Sequence, residues 1–339
     1  MKKANKVTAL LLAGVMAASM AACSKAPAET TEAEPAAEST EAVSEAASAE
    51  EGKEYKIGVL QLVQHSALDK TNEGFVAALD DAGLKYTIDQ QNAAGEQSSC
   101  QTIAEKLVND NNDLIFAIAT PAAQAVAGAT DTIPVLVSAV TDPAASGLLK
   151  SNDKPDCNVS GTSDLTPVKE QIDLLQKILP DAKNVGLLYC SSEANSVLQI
   201  EMAKEALETA GIAYKDYTVS SSNEIQTVVE SMVGNVDAIY APTDNMIAAG
   251  MSTVAMVAND NKLPVICGEG GMVEAGGLAT YGIDYYQLGY MAGQQAVDIL
   301  TKGADIKTMP VGYLDASKCE LQVNEETAKT LGIDVSNLK

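Results

Sequence analysis

The 339-residue chain contains no arginine and no tryptophan, and it has only one histidine and two phenylalanines. Without arginine, no guanidinium fork can hold a bound carboxylate, so backbone N–H groups, hydroxyls or lysine must do so. Without tryptophan, the indole platforms common in sugar sites are missing, which disfavours a sugar ligand without excluding one. The single histidine, His65, disfavours a transition-metal site, because such sites gather several nitrogen and carboxylate ligands.

Positive charge is scarce along the whole chain. The formal net charge is −24, and it becomes −27, from 19 lysines against 46 acidic residues, once the three lysines of residues 1–6 are removed. Such a charge opposes binding to nucleic acids and anionic membranes, so we expect no nucleic-acid partner. The sequence also has no Gly-x-Ser-x-Gly elbow, no acidic partner assignable to His65 and no Gly-x-x-x-x-Gly-Lys loop. We therefore expect a binding protein without catalytic residues, cofactor or metal, and not an enzyme.

The N-terminal residues have the features of an export signal followed by a tether. A positive stretch, residues 1–6, precedes an apolar run that is too short to span a bilayer comfortably and that ends in Met20-Ala-Ala-Cys23. This ending resembles the lipobox of bacterial lipoproteins, so we interpret residues 1–22 as a signal peptide and Cys23 as a lipidated N-terminus. An ordinary signal peptide is the alternative. Residues 23–54 are almost only Ala, Glu, Thr, Ser and Pro, which predicts a disordered acidic linker on an extracytoplasmic, membrane-anchored protein.

Five cysteines follow the predicted lipidation site. They are Cys100, Cys157, Cys190, Cys267 and Cys319. Their number is odd and their spacing is unlike that of metal sites, so we interpret most of them as small buried hydrophobic residues. A disulfide among them stays open, because the sequence cannot pair them.

An internal repeat dominates the rest of the chain, since residues 56–142 are echoed by residues 184–270. The matching segments are Lys56-Ile-Gly-Val-Leu60 with Asn184-Val-Gly-Leu-Leu188, Ala82-Gly-Leu84 with Ala210-Gly-Ile212, Asp113-Leu-Ile-Phe116 with Asp237-Ala-Ile-Tyr240, and Ile133-Pro-Val135 with Leu263-Pro-Val265. Short Val/Ile/Leu runs alternate with stretches of helical period, which predicts four strands and three helices in each copy. The repeat predicts an α/β protein with two doubly wound parallel-sheet lobes joined by a hinge.

Each predicted lobe is built from two stretches of chain. They are residues 55–162 with about 285–308 for lobe one, and residues 163–284 with about 309–339 for lobe two. The predicted hinge connections lie near Gly161–Thr166, near Gly282–Tyr286, before a predicted helix over Gln287–Leu300, and near Ile306–Val311. A ligand must contact both lobes in the closed state, because only a difference in contact shifts the open–closed equilibrium.

Ligands of open parallel sheets bind beyond the carboxyl ends of the strands, so equivalent strand ends of the two lobes should line one shared cleft. We therefore select polar residues and helix starts at those ends as the candidate binding site. They are Gln64, His65, Thr120, Pro121, Ala122, Ala123, Ser138, Thr141, Asp142, Tyr189, Ser192, Glu193, Asn195, Asp244, Asn245, Glu269 and Asp284.

In lobe one, Thr120-Pro121 predicts a helix start, with Thr120 at the N-cap and Pro121 at the first helical position. The amides of Ala122 and Ala123, with the hydroxyls of Thr120 and Ser138, would suit a small carboxylate. A plain helix cap is the alternative.

In lobe two the matching positions are acidic, because Asp244 aligns with Thr120 and Glu269 follows the next strand. This asymmetry favours a zwitterion whose carboxylate faces lobe one and whose ammonium faces Asp244 or Glu269, as an α-amino acid requires. Aspartate is also a common N-cap residue, so Asp244 has the alternative role of starting a helix over Asn245–Ala258. Asp284 is likewise both an N-cap and a ligand candidate.

Several stretches together resemble a known family. The most specific are Gln64-His-Ser-Ala-Leu-Asp69, Ala117-Ile-Ala-Thr-Pro-Ala-Ala-Gln124, Ala139-Val-Thr-Asp-Pro143, Leu188-Tyr-Cys-Ser-Ser-Glu-Ala-Asn-Ser196, Ala241-Pro-Thr-Asp-Asn245 and Gly282-Ile-Asp-Tyr285. Over nearly all of Tyr55–Lys339 the chain resembles the type I periplasmic-binding-protein fold, and within it the substrate-binding lipoproteins of ABC transporters of the tryptophan/tyrosine (TrpX-like) group. The resemblance implies capture of an aromatic amino acid by hinge closure and delivery to a membrane permease driven by an ATPase.

The resemblance leaves the contacts of the ligand side chain open. Tyr189 and Tyr240 are the best stacking candidates, with a role in the core as the alternative for Tyr240. We expect a monomer. Alternatives are a receptor subunit for a membrane sensor, the same clamp with another amino acid, a nucleoside or a sugar, and a surface enzyme that uses Asp244 and Glu269 as acid and base.

Overall fold

The computed structural model describes residues 52–315 and 318–338. These residues form two α/β lobes, as the repeat predicts, and each lobe is built on a six-stranded sheet that has two strands more than the four predicted. The predicted signal peptide, Cys23 and the predicted linker up to residue 51 lie outside the described residues. Among the helices of the described part, none is both long enough and apolar enough to cross a membrane.

Lobe one is a parallel sheet with four helices. Its strands are β1 (Tyr55–Gln61), β2 (Tyr86–Asn92), β3 (Leu114–Ile118), β4 (Val135–Val140), β5 (Val159–Ser163) and β11 (Gly312–Tyr313). Its helices are α1 (Ser66–Asp81), α2 (Gln97–Asn109), α3 (Thr120–Ala129) and α10 (Tyr285–Lys302). The strands lie in the order β2-β1-β3-β4-β5-β11, and every neighbouring pair is parallel.

Lobe two repeats this plan with a mixed sheet. Its strands are β6 (Asn184–Cys190), β7 (Ala213–Val219), β8 (Ala238–Ala241), β9 (Val265–Cys267), β10 (Ala279–Gly282) and β12 (Glu320–Val323). Its helices are α4 (Val168–Ile178), α5 (Ala194–Ala210), α6 (Ile225–Met232), α7 (Asn245–Ala249), α8 (Met251–Asp260), α9 (Gly270–Glu274) and α11 (Glu325–Leu331). The order is β7-β6-β8-β9-β10-β12, and β12 runs antiparallel to β10.

The internal repeat is confirmed in the hydrogen bonds as well as in the strand order. In lobe one the backbone N–H of Lys56 donates to Asp113 Oδ2 at 2.8 Å, and in lobe two that of Asn184 donates to Asp237 Oδ2 at 2.8 Å. Each aspartate stands just before the third strand of its copy and fastens that strand to the first one. The repeated Asp is therefore explained by sheet assembly.

The packing of α1 against α10 depends on glycine. A Cβ added at Gly74 would lie 1.9 Å from the carbonyl oxygen of Tyr286, and one added at Gly289 would lie 1.8 Å from that of Thr71. The two helix backbones therefore approach more closely than any larger residue permits. Below them, Phe75 and Phe116 stack with their ring centroids 4.0 Å apart.

Three connections join the two lobes. They are residues 164–167 between β5 and α4, 283–284 between β10 and α10, and 314–319 between β11 and β12. The third lies beyond the predicted position, Ile306–Val311. Gly312 pairs with Thr162 in the sheet of lobe one, so the chain stays in that lobe until Tyr313.

Two predicted helices differ from the observed ones. The predicted helix Asn245–Ala258 is two helices, α7 and α8, separated at Gly250, where a Cβ would lie 2.3 Å from Cδ1 of Ile225 in α6. The predicted helix Gln287–Leu300 extends over Tyr285–Lys302 and ends at Gly303, which has φ 65°. The five cysteines from Cys100 to Cys319 are free thiols, so no disulfide links any of them.

We expect Gly289→Ala to lower the free energy of unfolding by about 1–3 kcal/mol or more, because the added methyl group meets the backbone of α1, which cannot rotate away. Gly128→Ala in α3 is the matched control, since no atom lies within 4 Å of its added Cβ. Alanine there should be neutral or stabilising by up to about 1 kcal/mol. Urea unfolding followed by circular dichroism measures both variants. Equal stability of the two would contradict the close-packing explanation.

Candidate functional site

A small cavity lies between the lobes. It is lined by both lobes and by two connections. The lining residues are His65, Leu68, Ala139, Asp164, Thr243, Asp244, Asn245, Ala248, Glu269 and Tyr285. Many of them follow the carboxyl ends of strands, as His65 follows β1, Asp244 follows β8 and Glu269 follows β9. The cavity therefore occupies the position in which parallel-sheet proteins bind ligands.

Polar side chains join the two lobes across the cleft. His65 Nε2 of lobe one lies 3.4 Å from Asn245 Oδ1 of lobe two. Deeper in the interface, Gln199 Nε2 of lobe two donates to Thr141 Oγ1 of lobe one at 3.1 Å. The structure is therefore the closed form of a two-lobed clamp.

His65 contributes no charge to the cavity at neutral pH. Burial lowers the pKa of its imidazole to about 4, against smaller opposing effects of the Asn245 contact and the Asp69 charge. A neutral ring can hydrogen-bond across the cleft but cannot neutralise a carboxylate.

Asp244 holds the start of α7 and ties it to the sheet. Its Oδ1 accepts from the N–H of Ile247 at 2.8 Å, and its Oδ2 accepts from the N–H of Cys190 at 2.6 Å. Burial raises the pKa of this carboxyl, while these backbone donors oppose the rise. Asp244 therefore caps α7, which is the alternative role given above, and both of its carboxylate oxygens accept from backbone N–H groups.

Glu193 holds the same helix start from a neighbouring loop. Its Oε1 accepts from the N–H of Met246 at 3.1 Å, and its Oε2 accepts from Asn245 Nδ2 at 2.5 Å and from Asn195 Nδ2 at 3.3 Å. Burial, and then the charge of nearby Asp244, raise the pKa of Glu193 to about 8. Two buried carboxylates therefore converge on one helix start in lobe two.

Glu269 performs the same task for α9. Its Oε2 accepts from the N–H of Gly271 at 2.5 Å, and its Oε1 accepts from the N–H of Met272 at 2.8 Å. Burial raises the pKa of Glu269 to about 7. Like Asp244, it lines the cavity with both oxygens already bonded to backbone donors.

Asp164 is the cavity carboxylate that our sequence reasoning missed. It is the first residue of the connection after β5, and its Oδ2 accepts from the hydroxyl of Tyr285 at 2.8 Å. Its Oδ1 is buried without a hydrogen-bond partner. The available signal was an acidic residue directly after a predicted hinge strand, the same criterion that selected Asp244.

The starts of α1 and α3 in lobe one differ from those of α7 and α9 in lobe two. The helix α3, the counterpart of α7, has Ala119 at its N-cap with φ 83° and no side-chain cap. Thr120 is instead the first helical residue, because Ala119 takes the left-handed conformation before it, and Thr120 Oγ1 is buried without a partner. The helix α1, which begins directly after His65, also has no side-chain cap. The start of α1 therefore presents N–H groups and a positive dipole end without a side-chain acceptor, whereas α7 and α9 begin at carboxylates.

Four candidates at the start of α3 lie beside the cavity without lining it. Thr120, Pro121, Ala122 and Ala123 are all buried in lobe one. Ser138 lies in the interior of lobe one, where its Oγ accepts from Thr162 Oγ1 at 2.8 Å. The predicted carboxylate cradle of Ser138 with the α3 amides is therefore not assembled at the cavity wall.

The predicted stacking residues are turned away from the cavity. The hydroxyl of Tyr189 donates to Asp216 Oδ2 at 3.2 Å, beside the neighbouring strand β7. The hydroxyl of Tyr240 donates to Gln171 Oε1 at 2.8 Å in the core of lobe two. Tyr285, which was not a candidate, is the tyrosine that lines the cavity.

The remaining candidates divide between the cleft and the surface. Asn195 and Thr141 are buried and belong to the network around the cavity. Asp142 accepts from the N–H of Ala144 at 3.0 Å and stabilises a turn. Exposed residues outside the cavity lining are Gln64, Ser192 and Asp284, the last of which caps α10 by accepting from the N–H of Gln287 at 3.0 Å.

Two lobes of repeated topology, closing on a cavity at their facing strand ends, define a ligand-binding clamp of the periplasmic-binding-protein type. The chain belongs to the family of ABC transporter substrate binding proteins, whose family model matches residues 56–338. The family expected from the sequence is thereby confirmed. Proteins of this family work outside the cytoplasm.

Relatives of known name and structure support this assignment. The chain is 40% identical over 336 residues to a tyrosine-binding protein of Clostridioides difficile, covering 98% of this chain and 93% of that one. It is similar to an ABC domain from Streptococcus pneumoniae solved in complex with L-Trp, with 40% identity, a TM-score of 0.81 and coverage of 84% and 97% of the two chains.

A third relative shows the other state of such a clamp. This is the ligand-free, open structure of a substrate binding protein with adhesive properties from Clostridium difficile, which matches with 44% identity, a TM-score of 0.63 and coverage of 83% and 95% of the two chains. The lower TM-score at higher identity agrees with a closed arrangement of the lobes in the present structure.

We expect the unliganded protein to lose thermal stability as the pH rises from 7 to 8.5. The raised pKa values, about 7 for Glu269 and about 8 for Glu193, mean that the folded protein holds protons that the unfolded chain releases. The stabilisation that each protonated glutamate contributes is therefore fully present below the pKa of the glutamate in the unfolded chain. It is lost as the pH rises through the pKa of the same glutamate in the folded protein. Exposed carboxylates and lysines do not titrate in this range, and His65 is neutral in the folded state and mostly neutral in the unfolded one.

Differential scanning calorimetry at several pH values in this range measures the effect. Glu193→Gln should flatten the dependence, because it removes the group with the higher of the two values; buried thiols of raised pKa, such as Cys100, would leave a residual slope of the same sign. A Tm that is constant or rises with pH would contradict the assignment of protons to these buried carboxyls.

Proposed function

We propose that this protein captures a free aromatic amino acid between its lobes and delivers it to the permease of an ABC importer. The observation that carries the proposal is the polarity of the closed cleft. Carboxylates of lobe two, Asp244 and Glu269, line one side, and the uncapped start of α1 at His65 and Leu68 lies on the other. This polarity suits the ammonium and carboxylate of one α-amino acid.

The scarcity of cations supports the orientation of the ligand. No lysine lines the cavity, and His65 is neutral, so backbone N–H groups are left to hold the ligand carboxylate. The start of α1, where His65 and Leu68 line the cavity, offers such groups together with the positive end of a helix dipole. The ammonium then faces the acidic side of the cavity.

The apolar part of the cavity supports an aromatic side chain. Leu68, Ala139, Ala248 and the ring of Tyr285 line it. Two relatives at 40% identity, the tyrosine-binding protein and the L-Trp complex, bear the names of aromatic amino acids. We therefore assign Trp, Tyr or Phe as the ligand, in preference to a nucleoside or a sugar.

Capture follows from hinge closure. A ligand that contacts both lobes stabilises the closed state, because its contacts exist only there. The contacts of His65 with Asn245 and of Gln199 with Thr141 form in the same state and add to its stability. The ligand undergoes no reaction in this cycle. The partners are a permease and an ATPase, and the protein acts as a monomeric carrier rather than as an enzyme.

The proposed ligand is tested with the chain purified without residues 1–23. In a thermal-shift screen of the twenty amino acids, nucleosides and common sugars, we expect a Tm increase with Trp, Tyr or Phe. A ligand at 100 times its Kd stabilises the folded protein by about 2.7 kcal/mol. Calorimetry should give one-to-one binding, and mass spectrometry should recover the ligand unaltered. Stabilisation by nucleosides or sugars alone would contradict the proposal, and a chemically altered ligand would favour the enzyme alternative.

We further propose that lipidation of Cys23 anchors the protein to the outer face of the cell membrane, with residues 23–54 as the tether. Cys23→Ser should move the protein from the membrane fraction to the soluble extracytoplasmic fraction, because the thiol that forms the thioether to the lipid is lost. Fractionation followed by immunoblotting measures this, and Ser24→Ala is the matched control. Retention of the Cys23→Ser protein on the membrane would contradict the anchor.

A further inference from the structure

The carboxylates around the cavity differ in how completely the protein satisfies them. Both oxygens of Asp244 accept backbone N–H groups, from Ile247 and Cys190. Both oxygens of Glu269 do so as well, from Met272 and Gly271. These two residues therefore already have the donors that compensate a buried carboxylate, and neither depends on a ligand for one.

Asp164 is the exception. It is 4% exposed and lines the cavity, and the hydroxyl of Tyr285 satisfies only its Oδ2. Its Oδ1 is buried and has no partner in the described part of the chain. An unpaired carboxylate oxygen out of contact with water is unfavourable, and a charged donor compensates it best. A ligand ammonium in the cavity would be such a donor.

The position of Asp164 links this oxygen to the hinge. Asp164 is the first residue of the connection from β5 to α4, and its N–H donates to the carbonyl of Val140 in lobe one at 3.2 Å. Tyr285, its hydroxyl partner, is the first residue of α10, directly after the second connection. One carboxylate thus joins two of the three connections that bend when the lobes move.

We propose that Asp164, rather than Asp244 or Glu269, receives the α-ammonium of the ligand and that this contact favours closure through the hinge. The inference rests on the proposed function, since it requires an amino acid in the cavity. Asp244 and Glu269 keep the helix starts in place and shape the acidic side of the cavity. The selectivity for an ammonium group then resides in one hinge residue.

The protonation of Asp164 agrees with this role. Burial raises the pKa of its carboxyl to about 6, against the Tyr285 hydroxyl, which donates to Oδ2, and the nearby Thr141 hydroxyl, which both lower it. The group is therefore ionised at neutral pH, when an α-ammonium is charged as well. Asp164→Asn should leave the unliganded protein at least as stable as the unsubstituted one. The substitution removes a buried charge that lacks a full set of hydrogen-bond donors.

The test compares an amino acid with an analogue that lacks its ammonium. The protein purified without residues 1–23 is titrated by calorimetry with L-tyrosine and with 3-(4-hydroxyphenyl)propanoate, or with L-tryptophan and indole-3-propanoate. The unsubstituted protein should prefer the amino acid by at least about tenfold, the size expected for a charge-assisted hydrogen bond. Asp164→Asn should lose that preference, binding the amino acid at least about tenfold more weakly and the analogue nearly unchanged.

Two further variants separate the proposal from a general loss of structure. Asp305→Asn is the matched control, because Asp305 is an exposed capping residue outside the cavity that accepts from the N–H of Lys307 at 3.0 Å. It should keep both affinities. Tyr285→Phe should retain the preference for the amino acid, since the ammonium partner is still present. If Asp164→Asn does not fold, Asp164→Ser replaces it in the comparison of the amino acid with its analogue.

Small-angle scattering provides a readout of closure. Saturating amino acid should decrease the radius of gyration of the unsubstituted protein, and it should do so less for Asp164→Asn. An asparagine variant that keeps the preference, or that loses affinity for amino acid and analogue equally, would overturn the role of Asp164. Failure of the unsubstituted protein to bind any amino acid would instead refute the proposed function, and with it this inference.

Discussion

Burial of negative charge without a buried cation is the constraint on which the rest of this structure depends. Asp164, Glu193, Asp244 and Glu269 are all buried around one small cavity, whereas no lysine among residues 52–315 and 318–338 is buried. Charge taken out of water must be compensated, so backbone N–H groups take the place of side-chain cations. That requirement places Glu193, Asp244 and Glu269 at the starts of α7 and α9, where the backbone donors oppose the rise in pKa that burial causes. The proposed ligand would bring its own positive charge to this cleft.

The internal repeat supplies the frame, and its departures from symmetry supply the site. Equivalent aspartates, Asp113 and Asp237, fasten equivalent strands, and the carbonyls of Pro134 and Pro264 accept from equivalent strands at 2.9 Å. Where the copies differ, α3 starts without a side-chain cap and α7 starts with two carboxylates. Two similar lobes thereby present opposite electrostatic ends to one another, which a symmetric pair of lobes could not do.

Much of the fold and part of the site could be predicted. The period and the repeat were sufficient for the alternation of strands and helices and for the two lobes, because apolar runs and turn residues reflect local burial. The polarity of Thr120 against Asp244 indicated a cleft with two kinds of charge. Tyr189 and Ser138 were misplaced because successive residues of a strand face opposite sides of the sheet, and which side faces the cleft depends on the neighbouring strands. Helix α7 ends at Gly250 because α6 packs against that point, a contact between segments that are distant in the helix pattern.

The sequence by itself determined the class of the molecule: two α/β lobes, a shortage of cations and a lone histidine follow from composition and from a pattern that repeats. Only the tertiary structure decided which carboxylates have hydrogen-bond donors for both of their oxygens. Asp244 and Asp164 are both acidic residues after strands, and sequence cannot distinguish them. The first is bonded to backbone donors from two elements, and the second lines the cavity between the lobes with one buried oxygen that has no partner among the described residues. Hydrogen-bond satisfaction depends on distances between remote segments, so it is a property of the fold and not of any local stretch of chain.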